Sequence, residues 1–385
     1  MNFLKNKSKP IKTTYHTSER GKAKFFHGRE EEKKHFRGLM SESIEKREGE
    51  ACLIQGSPGV GKSALLEEFK EIARNQKWRV RRISIKSLHD PNELYLWIKN
   101  NTSKDVSEGF HFGLNFHILK GSYERKTNSK NPNLIKTIKE IRRKPTLLVL
   151  DEAQRIGIKG YINDSNREYM LDIANELHNL QSNKGFVFVV AGLGNTKSVF
   201  KKLGISRFTG KNIFNLGALD KKAEKSILKK WIIESGGKEN DENIEFWIKK
   251  ITEETHCWAH HITSYTSAIF KELKKTNGKL TIVGLEKVLA SGSDSKKKFY
   301  IQRLDEFDKR ECQLISSFLK KNKDFIFFDK EKIIDFFKEN VGFDAGLELY
   351  ERFVQDGVLH RNENKDYMIP IPSMRTWLIN QFGQN

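Results

Sequence analysis

The apolar positions between residues 50 and 216 fall into short runs of strand length, separated by segments of helical periodicity. Five strands are predicted, at ACLIQ, WRVRRISI, TLLVLD, GFVFVVAGL and NIFNLGAL. After the first strand, KSALLEEFKEIARNQ repeats apolar residues from Leu65 to Ala73 with a period close to 3.6, which predicts an amphipathic helix. Nearly continuous apolar strands separated by helices predict an α/β fold, with a parallel sheet covered by helices on both faces.

Residues 103–130 depart from this series. Apolar residues there alternate strictly with His, Gly or Asn from Phe110 to Ile118, and this two-residue period predicts an inserted hairpin or strand. From Asp220 to about Leu289 the pattern is helical throughout. From about residue 296 it is helical again and ends in VLHRNENKDYMIPIP, which predicts two short strands around a turn. Helices followed by a small wing are the order of a winged-helix domain.

The first predicted strand leads into a glycine-rich loop, GSPGVGKS, which matches the phosphate-binding pattern G-x-x-x-x-G-K-[ST]. Its glycines let backbone N–H groups approach phosphates, and the next helix adds its positive N-terminal end. Lys62 is predicted to reach the β- and γ-phosphates, and the Ser63 hydroxyl to ligate Mg²⁺. The predicted nucleotide-binding residues are Gly56, Ser57, Pro58, Gly59, Val60, Gly61, Lys62, Ser63 and Ala64.

A second chemical element is LLVLDEAQ, an apolar strand that ends in two carboxylates. The strand would deliver Asp151 to the carboxyl edge of the sheet, beside the magnesium held by Ser63. Glu152 would then orient or polarise the attacking water. A strand ending in Asp-Glu is common, so the prediction depends on the glycine loop upstream.

These residues resemble the AAA+ ATPases, and within them the origin-recognition and replication-initiator branch and its neighbours, the STAND-type ATPases. The resemblance covers about residues 25–290, with a looser similarity beyond. FHGREEE, which contains Arg29, is similar to the adenine-side motif of that branch. VVAGLGNT ends a strand where the family has a polar sensor of the γ-phosphate, for which Asn195 is the first candidate and Thr196 the second. GISRF places Arg207 like the arginine finger of the family.

The resemblance implies a P-loop three-layer parallel sheet followed by a helical lid and a winged-helix-like domain. The implied boundaries are a flexible basic arm at 1–25, an AAA+ core at 26–218 with the insertion at 103–130, a lid at 219–293 and the winged-helix-like domain at 294–385. It also implies ATP and Mg²⁺ as ligands and a slow, Mg-dependent ATP hydrolysis. A homo-oligomer is implied as well, since Arg207 would act on the nucleotide of a neighbouring subunit.

Two of these assignments have simpler alternatives. The Asn195 side chain is also placed to cap the helix predicted to begin near Thr196. Arg207 is also consistent with a surface arginine in a basic protein. Both roles therefore depend on where the fold places the two side chains.

The predicted lid departs from the family at THCWAHHITSYT. Many AAA+ lids present an arginine to the γ-phosphate at this place, and this segment has none. Either a histidine, His260 or His261, takes that role or the contact is absent. His256 lies four residues before His260, which raises a metal-binding alternative, but no acidic partner stands beside these histidines in a recognised pattern.

Charge indicates where a polyanion would bind. The net charge is +20, yet residues 294–385 contain 16 Lys+Arg and 16 Asp+Glu, so the whole excess lies in residues 1–293. The predicted DNA contacts are residues 1–25, with seven Lys/Arg and one Glu, the arginines of the second strand (Arg79, Arg81 and Arg82) and the 103–130 insertion. The candidate recognition helix, DAGLELYERFVQDG, is acidic and would be repelled by phosphates, which favours a protein partner there.

Two function classes remain open. In the first, the chain is a DNA-associated ATPase of the replication, transposition or defence type, in which ATP binding and hydrolysis drive conformational change or assembly. In the second, it is a STAND-like, nucleotide-gated switch for protein interaction with no direct role at DNA. DNA-stimulated hydrolysis and salt-sensitive DNA binding would distinguish them.

The cysteine and hydropathy patterns bear on the cellular compartment and on membrane association. The three cysteines are isolated and lack metal-ligand spacing, which indicates reduced thiols in a cytoplasmic protein. No apolar run approaches the roughly 18 residues of a membrane span. We therefore expect no membrane partner.

Overall fold

The computed structural model describes residues 23–46, 49–84, 145–154, 185–202, 212–362 and 366–383. The predicted insertion at 103–130, the helices predicted near residues 92–99, 133–143 and 166–181, and Arg207 lie outside the described residues. Within the described part of the chain, no helix combines the length and the apolar character needed to cross a bilayer.

The first part of the chain alternates strands and helices as predicted. Its elements are α1 (Glu30–Glu45), β1 (Glu50–Gly56), α2 (Lys62–Asn75), β2 (Arg79–Ser84), β3 (Thr146–Asp151), β4 (Phe186–Gly192), α3 (Thr196–Lys202) and β5 (Ile213–Leu216). The strands form a five-stranded sheet in the order β2-β3-β4-β1-β5. Every pairing is parallel, so the carboxyl ends of all the strands meet at one edge.

The sheet is buried in a way that explains its sequence. All residues of β3 and β4 are buried, which is why these strands read as continuous apolar runs. Helices α1 and α2 pack against the sheet and against each other, and Phe36 of α1 stacks on Phe69 of α2 at a ring-centroid distance of 4.0 Å. The buried sheet holds the loops that follow β1, β3 and β4 in fixed positions.

A helical unit follows the sheet. It consists of α4 (Lys221–Glu234), α5 (Ile244–Thr255), α6 (Ala259–Lys275) and α7 (Ile282–Leu304). The helices share an apolar cluster centred on Trp247 and Tyr265. Asp220 caps α4 by accepting a hydrogen bond from the Ala223 N–H at 2.7 Å. Helix α7 runs without a break through residues 293 and 294, where the sequence predicted a boundary, and the division of the chain there stays a prediction.

The last part of the chain contains α8 (Lys309–Lys321), α9 (Lys330–Val341), α10 (Phe343–Gln355), the strands β6 (His360–Arg361) and β7 (Tyr367–Met368), and α11 (Met374–Phe382). The two short strands predicted on either side of residues 362–365 are present and antiparallel. The winged-helix assignment itself stays a prediction. The apolar core of this part is continuous with the core of the sheet, so the C-terminal part is packed onto the sheet.

Candidate functional site

A cleft of about 800 Å³ lies at the carboxyl edge of the sheet. Its walls come from the loop after β1, the ends of β3 and β4, the segment before α1, the lid helices, and the last turns of α7 and α10. The residues that line the cleft include Phe25, His27, Arg29, Pro58, Gly59, Lys62, Ser63, Glu152, Gln154, Leu193, Trp231, His260, Phe299 and Arg303. Three distant parts of the chain therefore enclose one site.

The loop after β1 wraps back over the start of α2. Gly59 and Gly61 have φ angles of 75° and 100°, in the left-handed region that favours glycine. A Cβ at Gly59 would lie 2.8 Å from the His260 Cβ and 2.9 Å from the Phe299 Cζ, so the lid requires glycine there as well. The Lys62 ammonium donates to the carbonyl oxygens of Gly56 at 2.9 Å and of Ser57 at 3.0 Å.

Lys62 is a partly buried cation whose ammonium is bonded inside the loop. Burial lowers the pKa of its ammonium to about 8, although Glu152 and Asp151 attract the charge. An anion bound beside this poorly solvated ammonium, which is bonded to two carbonyl oxygens, would stabilise its charge strongly. This is the condition that a phosphate-binding lysine needs.

Ser63 and Asp151 meet at the predicted metal position. The Ser63 hydroxyl donates to the Asp151 Oδ2 at 3.4 Å, although the two residues lie 88 positions apart in the sequence. Asp151 is buried at the end of β3. A hydroxyl and a carboxylate oxygen are the hard ligands that Mg²⁺ prefers, and Mg²⁺ completes its octahedron with water and phosphate. The residues present therefore fit the implied ion.

Glu152 is held in an uncommon backbone conformation. Its φ angle is 59°, in the left-handed region, and its N–H donates to the Asp151 Oδ1 at 3.0 Å. Gln154 donates to the Glu152 Oε2 at 2.8 Å and accepts from the Leu193 N–H, after β4, at 3.1 Å. Such strain in a non-glycine residue persists where the surroundings fix it, and it is most frequent at functional sites.

Gln154 is a site residue that the motif analysis missed. It is the fourth residue of DEAQ, and its side chain links the exits of two neighbouring strands. A polar residue placed one turn after a strand-end Asp-Glu is the signal that identifies it. Its effect is to fix the direction in which the Glu152 carboxylate points.

The two candidate sensors of the γ-phosphate, Asn195 and Thr196, differ in their hydrogen bonding. The Thr196 hydroxyl donates to the Leu193 carbonyl at 2.6 Å and is fully buried, so its donor is already used. The Asn195 Oδ1 is buried and has no hydrogen-bond partner among the described residues, so this side chain does not cap α3. Leu193 lines the cleft, whereas Asn195 lies outside its lining. The sensor role of Asn195 stays a prediction.

The opposite end of the cleft is apolar and begins before α1. Phe25 packs edge-on against Trp231 of the lid at 5.3 Å, so the last residues of the predicted basic arm belong to the cleft wall. The His27 Nε2 is buried without a partner among the described residues. Arg29 also lines the cleft, but its guanidinium donates to the Gly217 carbonyl and pairs with Glu32. The contact with Gly217 thus ties the start of α1 to the residue after β5.

The lid histidines point in different directions. The His260 backbone N–H donates to the Gly59 carbonyl at 2.9 Å, and its ring stacks on Phe299 at 3.7 Å. Burial, and then Arg303, lower the pKa of His260 to about 4. His261 is fully buried in the lid, with its Nδ1 3.2 Å from the Thr255 carbonyl. No group of three potential metal ligands of the His, Cys, Asp or Glu type exists among the described residues.

Arg303 and His360 are further residues that the sequence did not indicate. Arg303 lines the cleft from the last turn of α7. The His360 ring, at the start of β6, lies directly against Gly194 and leaves no space for a Cβ there. Burial, and then Lys62, lower the pKa of His360 to about 4. No short motif could mark these residues, because packing brings them to the loop from distant segments.

Comparison with known proteins agrees with this architecture. Residues 45–200 match the family described as AAA domain. The chain contains an AAA domain. No curated protein matches the sequence. The AAA+ fold predicted from the sequence is thereby confirmed, with its five-stranded parallel sheet and flanking helices.

The chain is similar to solved structures at low sequence identity. The ORC2 protein of Aeropyrum pernix is 12% identical, with a TM-score of 0.56 and coverage of 92% of each chain. The RuvB Holliday junction branch migration motor of Thermotoga maritima is 13% identical, with a TM-score of 0.47 and coverage of 91% of this chain and 94% of that one. The ORC1 protein of Aeropyrum pernix, in complex with DNA, is 12% identical, with a TM-score of 0.47 and coverage of 93% of each chain.

Proposed function

We propose that this AAA+ protein binds ATP with Mg²⁺, hydrolyses it slowly, and uses the nucleotide state to change the contact between its C-terminal part and the phosphate-binding loop. One observation carries the proposal. The Lys62, Ser63 and Glu152 side chains share a single cleft with residues from the end of α10. The ORC2 protein of Aeropyrum pernix, which shares the fold, has been solved as complexes with ADPNP and ADP.

The proposed roles follow from the contacts. Lys62 would exchange the carbonyls of Gly56 and Ser57 for phosphate oxygens, and Ser63 and Asp151 would hold the metal. Bound Mg²⁺ would neutralise charge on the phosphates. Glu152, fixed by Gln154, would accept a hydrogen bond from the attacking water and orient it.

Two roles complete the proposed hydrolysis site. Asn195 would donate from its Nδ2 amide to the γ-phosphate, and its buried Oδ1, which has no partner among the described residues, would accept from the attacking water. Arg207 would enter the site of a neighbouring subunit of a homo-oligomer, where a guanidinium stabilises the charge of the transition state. Size measurement with and without ATP tests this role, because Arg207 can act in trans only in an assembly that ATP supports.

The proposed partner of the first function class is DNA. The positive charge of residues 1–293 supports it, and the proposed contacts are residues 1–25, Arg79 to Arg82 and the 103–130 insertion. DNA should stimulate hydrolysis, and its binding should weaken steeply between 50 and 200 mM salt. The absence of affinity at low salt would contradict this class.

A specific observation favours the second class, the nucleotide-gated protein switch. A Cβ at Gly357 would lie 2.8 Å from the Pro58 Cγ, so the turn after α10 touches the phosphate-binding loop directly. Helix α10 carries four acidic residues and one arginine in and beside it, which suits a protein partner better than DNA. Hydrolysis that DNA leaves unchanged, together with a nucleotide-dependent change at residues 355–361, would support this class.

A further inference from the structure

Helix α4 has two sides of different character. Its buried side is apolar, and Ile227 and Trp231 on that side line the nucleotide cleft. The other side carries five lysines, none of which lines the cleft: Lys221, Lys222, Lys225, Lys229 and Lys230. We call these five residues the lysine face. A ligand bound there would be separated from the nucleotide by the thickness of one helix, about 10 Å.

Carboxylates balance the lysine face only at one end. Glu224, the one acidic residue in the first three turns of α4, is buried on the opposite side. At the end of the helix, Glu234 pairs with Lys24. The Glu239 carboxylate, in the turn that follows, pairs with the Lys229 ammonium at 3.2 Å. Four lysines are exposed and form no ion pair with a described residue: Lys221, Lys222, Lys225 and Lys230.

The positions of these lysines are unfavourable for the helix itself. Lys221 and Lys222 lie in the first turn, where the helix dipole favours negative side chains and disfavours positive ones. Lys221, Lys225 and Lys229 follow one another at spacings of four residues, at which like charges repel. A polyanion bound over the lysine face would remove both sources of repulsion. The placement therefore indicates an anionic ligand outside the helix.

The N-terminal arm is attached beside the same helix. Lys24 pairs with Glu234, the last residue of α4. A Cβ at Gly28 would lie 3.0 Å from the Ala223 Cβ, near the start of α4, so the segment from Lys24 to Gly28 runs along the helix. Residues 1–22 contain six Lys/Arg and one Glu, and they join the described chain at this end of the lysine face. Positive charge in both places favours a long polyanion over a single small anion.

We propose that the lysine face binds the sugar-phosphate backbone of duplex DNA on the outer side of the lid, without reading the base sequence. The inference rests on the DNA-associated class of the proposed function and adds a surface to its contacts. Lysine is a flexible point charge, which suits phosphate better than the bidentate recognition of a base edge. The exposed positions of α4 carry no aromatic residue, whereas sites for single strands stack bases on aromatic side chains.

The test is a fluorescence-anisotropy titration of a labelled duplex of about 30 base pairs at several salt concentrations. The variant combines Lys221→Gln, Lys222→Gln and Lys225→Gln. Three phosphate contacts contribute about 2 to 3 to the slope of log affinity against log salt, so the variant should lose that part of the slope. Its affinity at about 50 mM salt should fall at least about 10-fold.

A matched control removes the same charge from another surface. It combines Lys309→Gln, Arg310→Gln and Lys323→Gln, three exposed cations on α8 and in the turn after it. We expect the control to bind the duplex within about threefold of the wild-type chain and to keep the wild-type slope, because these cations do not contact the backbone. An equal loss of affinity in the control would mean that only the net charge matters, and it would overturn the lysine face as a DNA surface.

Two further measurements distinguish a binding surface from a structural one. Because the α4 variant removes repulsion within the helix, the midpoint of its urea denaturation should equal or exceed that of the wild-type chain. Its affinity for Mg-ADPNP should stay within about twofold, since none of the three lysines lines the cleft. A lower midpoint would assign the lysines to the fold and overturn the inference.

The outcomes also separate the inference from the function on which it rests. An α4 variant that binds DNA as tightly as the wild-type chain would overturn the lysine face while leaving DNA binding intact. A wild-type chain with no affinity for DNA at low salt would overturn the DNA-associated class, and the inference with it.

Discussion

The two walls of the nucleotide cleft are built in different ways. One wall consists of Lys62, Ser63, Asp151 and Glu152, each at the end of a buried strand or in the first turn of the helix behind it. The opposite wall includes His260 and Arg303, which come from two separate helices, and His360 packs behind the cleft against Gly194. We call these the strand-end wall and the closing wall. Reacting groups on a buried sheet and enclosing groups on helices packed over it suit the proposed nucleotide switch.

The walls also differ in charge. The strand-end wall brings one partly buried cation to two carboxylates, whereas the closing wall brings Arg303 and two histidines whose pKa values burial lowers to about 4. At neutral pH these histidines carry no charge, so the closing wall is less positively charged than its composition suggests. We therefore expect the strand-end wall to determine whether phosphate binds at all. We expect the closing wall to determine how the conformation of the protein changes with the bound nucleotide.

The largest predicted effect comes from the strand-end wall. Lys62→Ala removes the partly buried cation, and we expect ATP hydrolysis to fall at least about 10²-fold, because a preorganised charge in a dry site contributes on the order of 10² to 10³. Steady-state phosphate release and calorimetric titration of ATP measure this. Arg74→Ala, on the exposed face of α2, is the control. Hydrolysis by Lys62→Ala at the wild-type rate would place the site elsewhere.

A second change separates binding from hydrolysis on the same wall. Glu152→Gln keeps an oxygen that can accept from Gln154 but loses the negative charge that orients water. We expect hydrolysis to fall about 10²-fold or more while ATP affinity stays within about threefold. Single-turnover hydrolysis measures the loss of rate, and a binding titration measures the ATP affinity. Glu71→Gln, an exposed neighbour on α2, should change neither, and a parallel loss of affinity would assign Glu152 to phosphate binding instead.

A pH series tests the closing wall. His260 and His360 have pKa values near 4 in the folded chain, below the unfolded value of about 6.5. The unfolded chain therefore binds more protons between these values, and the free energy of unfolding should fall as pH drops from about 6.5 to about 4. One pKa unit corresponds to about 1.4 kcal/mol, so each histidine contributes up to about 3 kcal/mol.

Urea denaturation at several pH values measures this fall. His360→Asn should make the fall shallower, because asparagine does not titrate. The internal control is pH 8, where both histidines are neutral and pH no longer affects their contribution. A variant with the full wild-type fall would show that the pKa of His360 does not differ between the folded and the unfolded chain.

The smallest predicted effect concerns the helix that joins the closing wall to the C-terminal part. Tyr300→Phe removes the hydroxyl that donates to the Pro372 carbonyl. We expect a loss of about 1 kcal/mol in the free energy of unfolding, the value of one neutral hydrogen bond. Tyr300 is buried, so a loss of several kcal/mol would instead indicate that the ring packing depends on the hydroxyl. Urea denaturation at pH 8 measures it.

The same contrast explains what the sequence could predict. The strands, the loop Gly56–Ser63 and the pair Asp151–Glu152 follow from local patterns, because a strand end and its next residues stay together in any fold that contains them. The C-terminal strands β6 and β7 were also predicted from a short pattern. Arg29 shows the limit of this reasoning, because the motif marks its position while its contacts with Gly217 and Glu32 appear only in three dimensions.

The closing wall could not be predicted because its residues carry no shared motif. Arg303 is 43 positions from His260 and 57 from His360. Only the packing of α7 brings Arg303 to the cleft, and only the packing of the segment after α10 brings His360 against Gly194. The lid segment THCWAHHITSYT contains no arginine, and Arg303 lines the cleft from outside that segment. Long-range side-chain placement of this kind depends on the tertiary core and has no local signature.

Hydrogen–deuterium exchange of the wild-type chain tests the central claim most directly. The chain would be measured without nucleotide, with Mg-ADP and with Mg-ADPNP, following residues 56–63 and 355–361. We predict that both nucleotides protect residues 56–63, and that the exchange of residues 355–361 differs between ADP and ADPNP. Protection of residues 56–63 with identical exchange of residues 355–361 in all three states would contradict a nucleotide switch that acts through the C-terminal part.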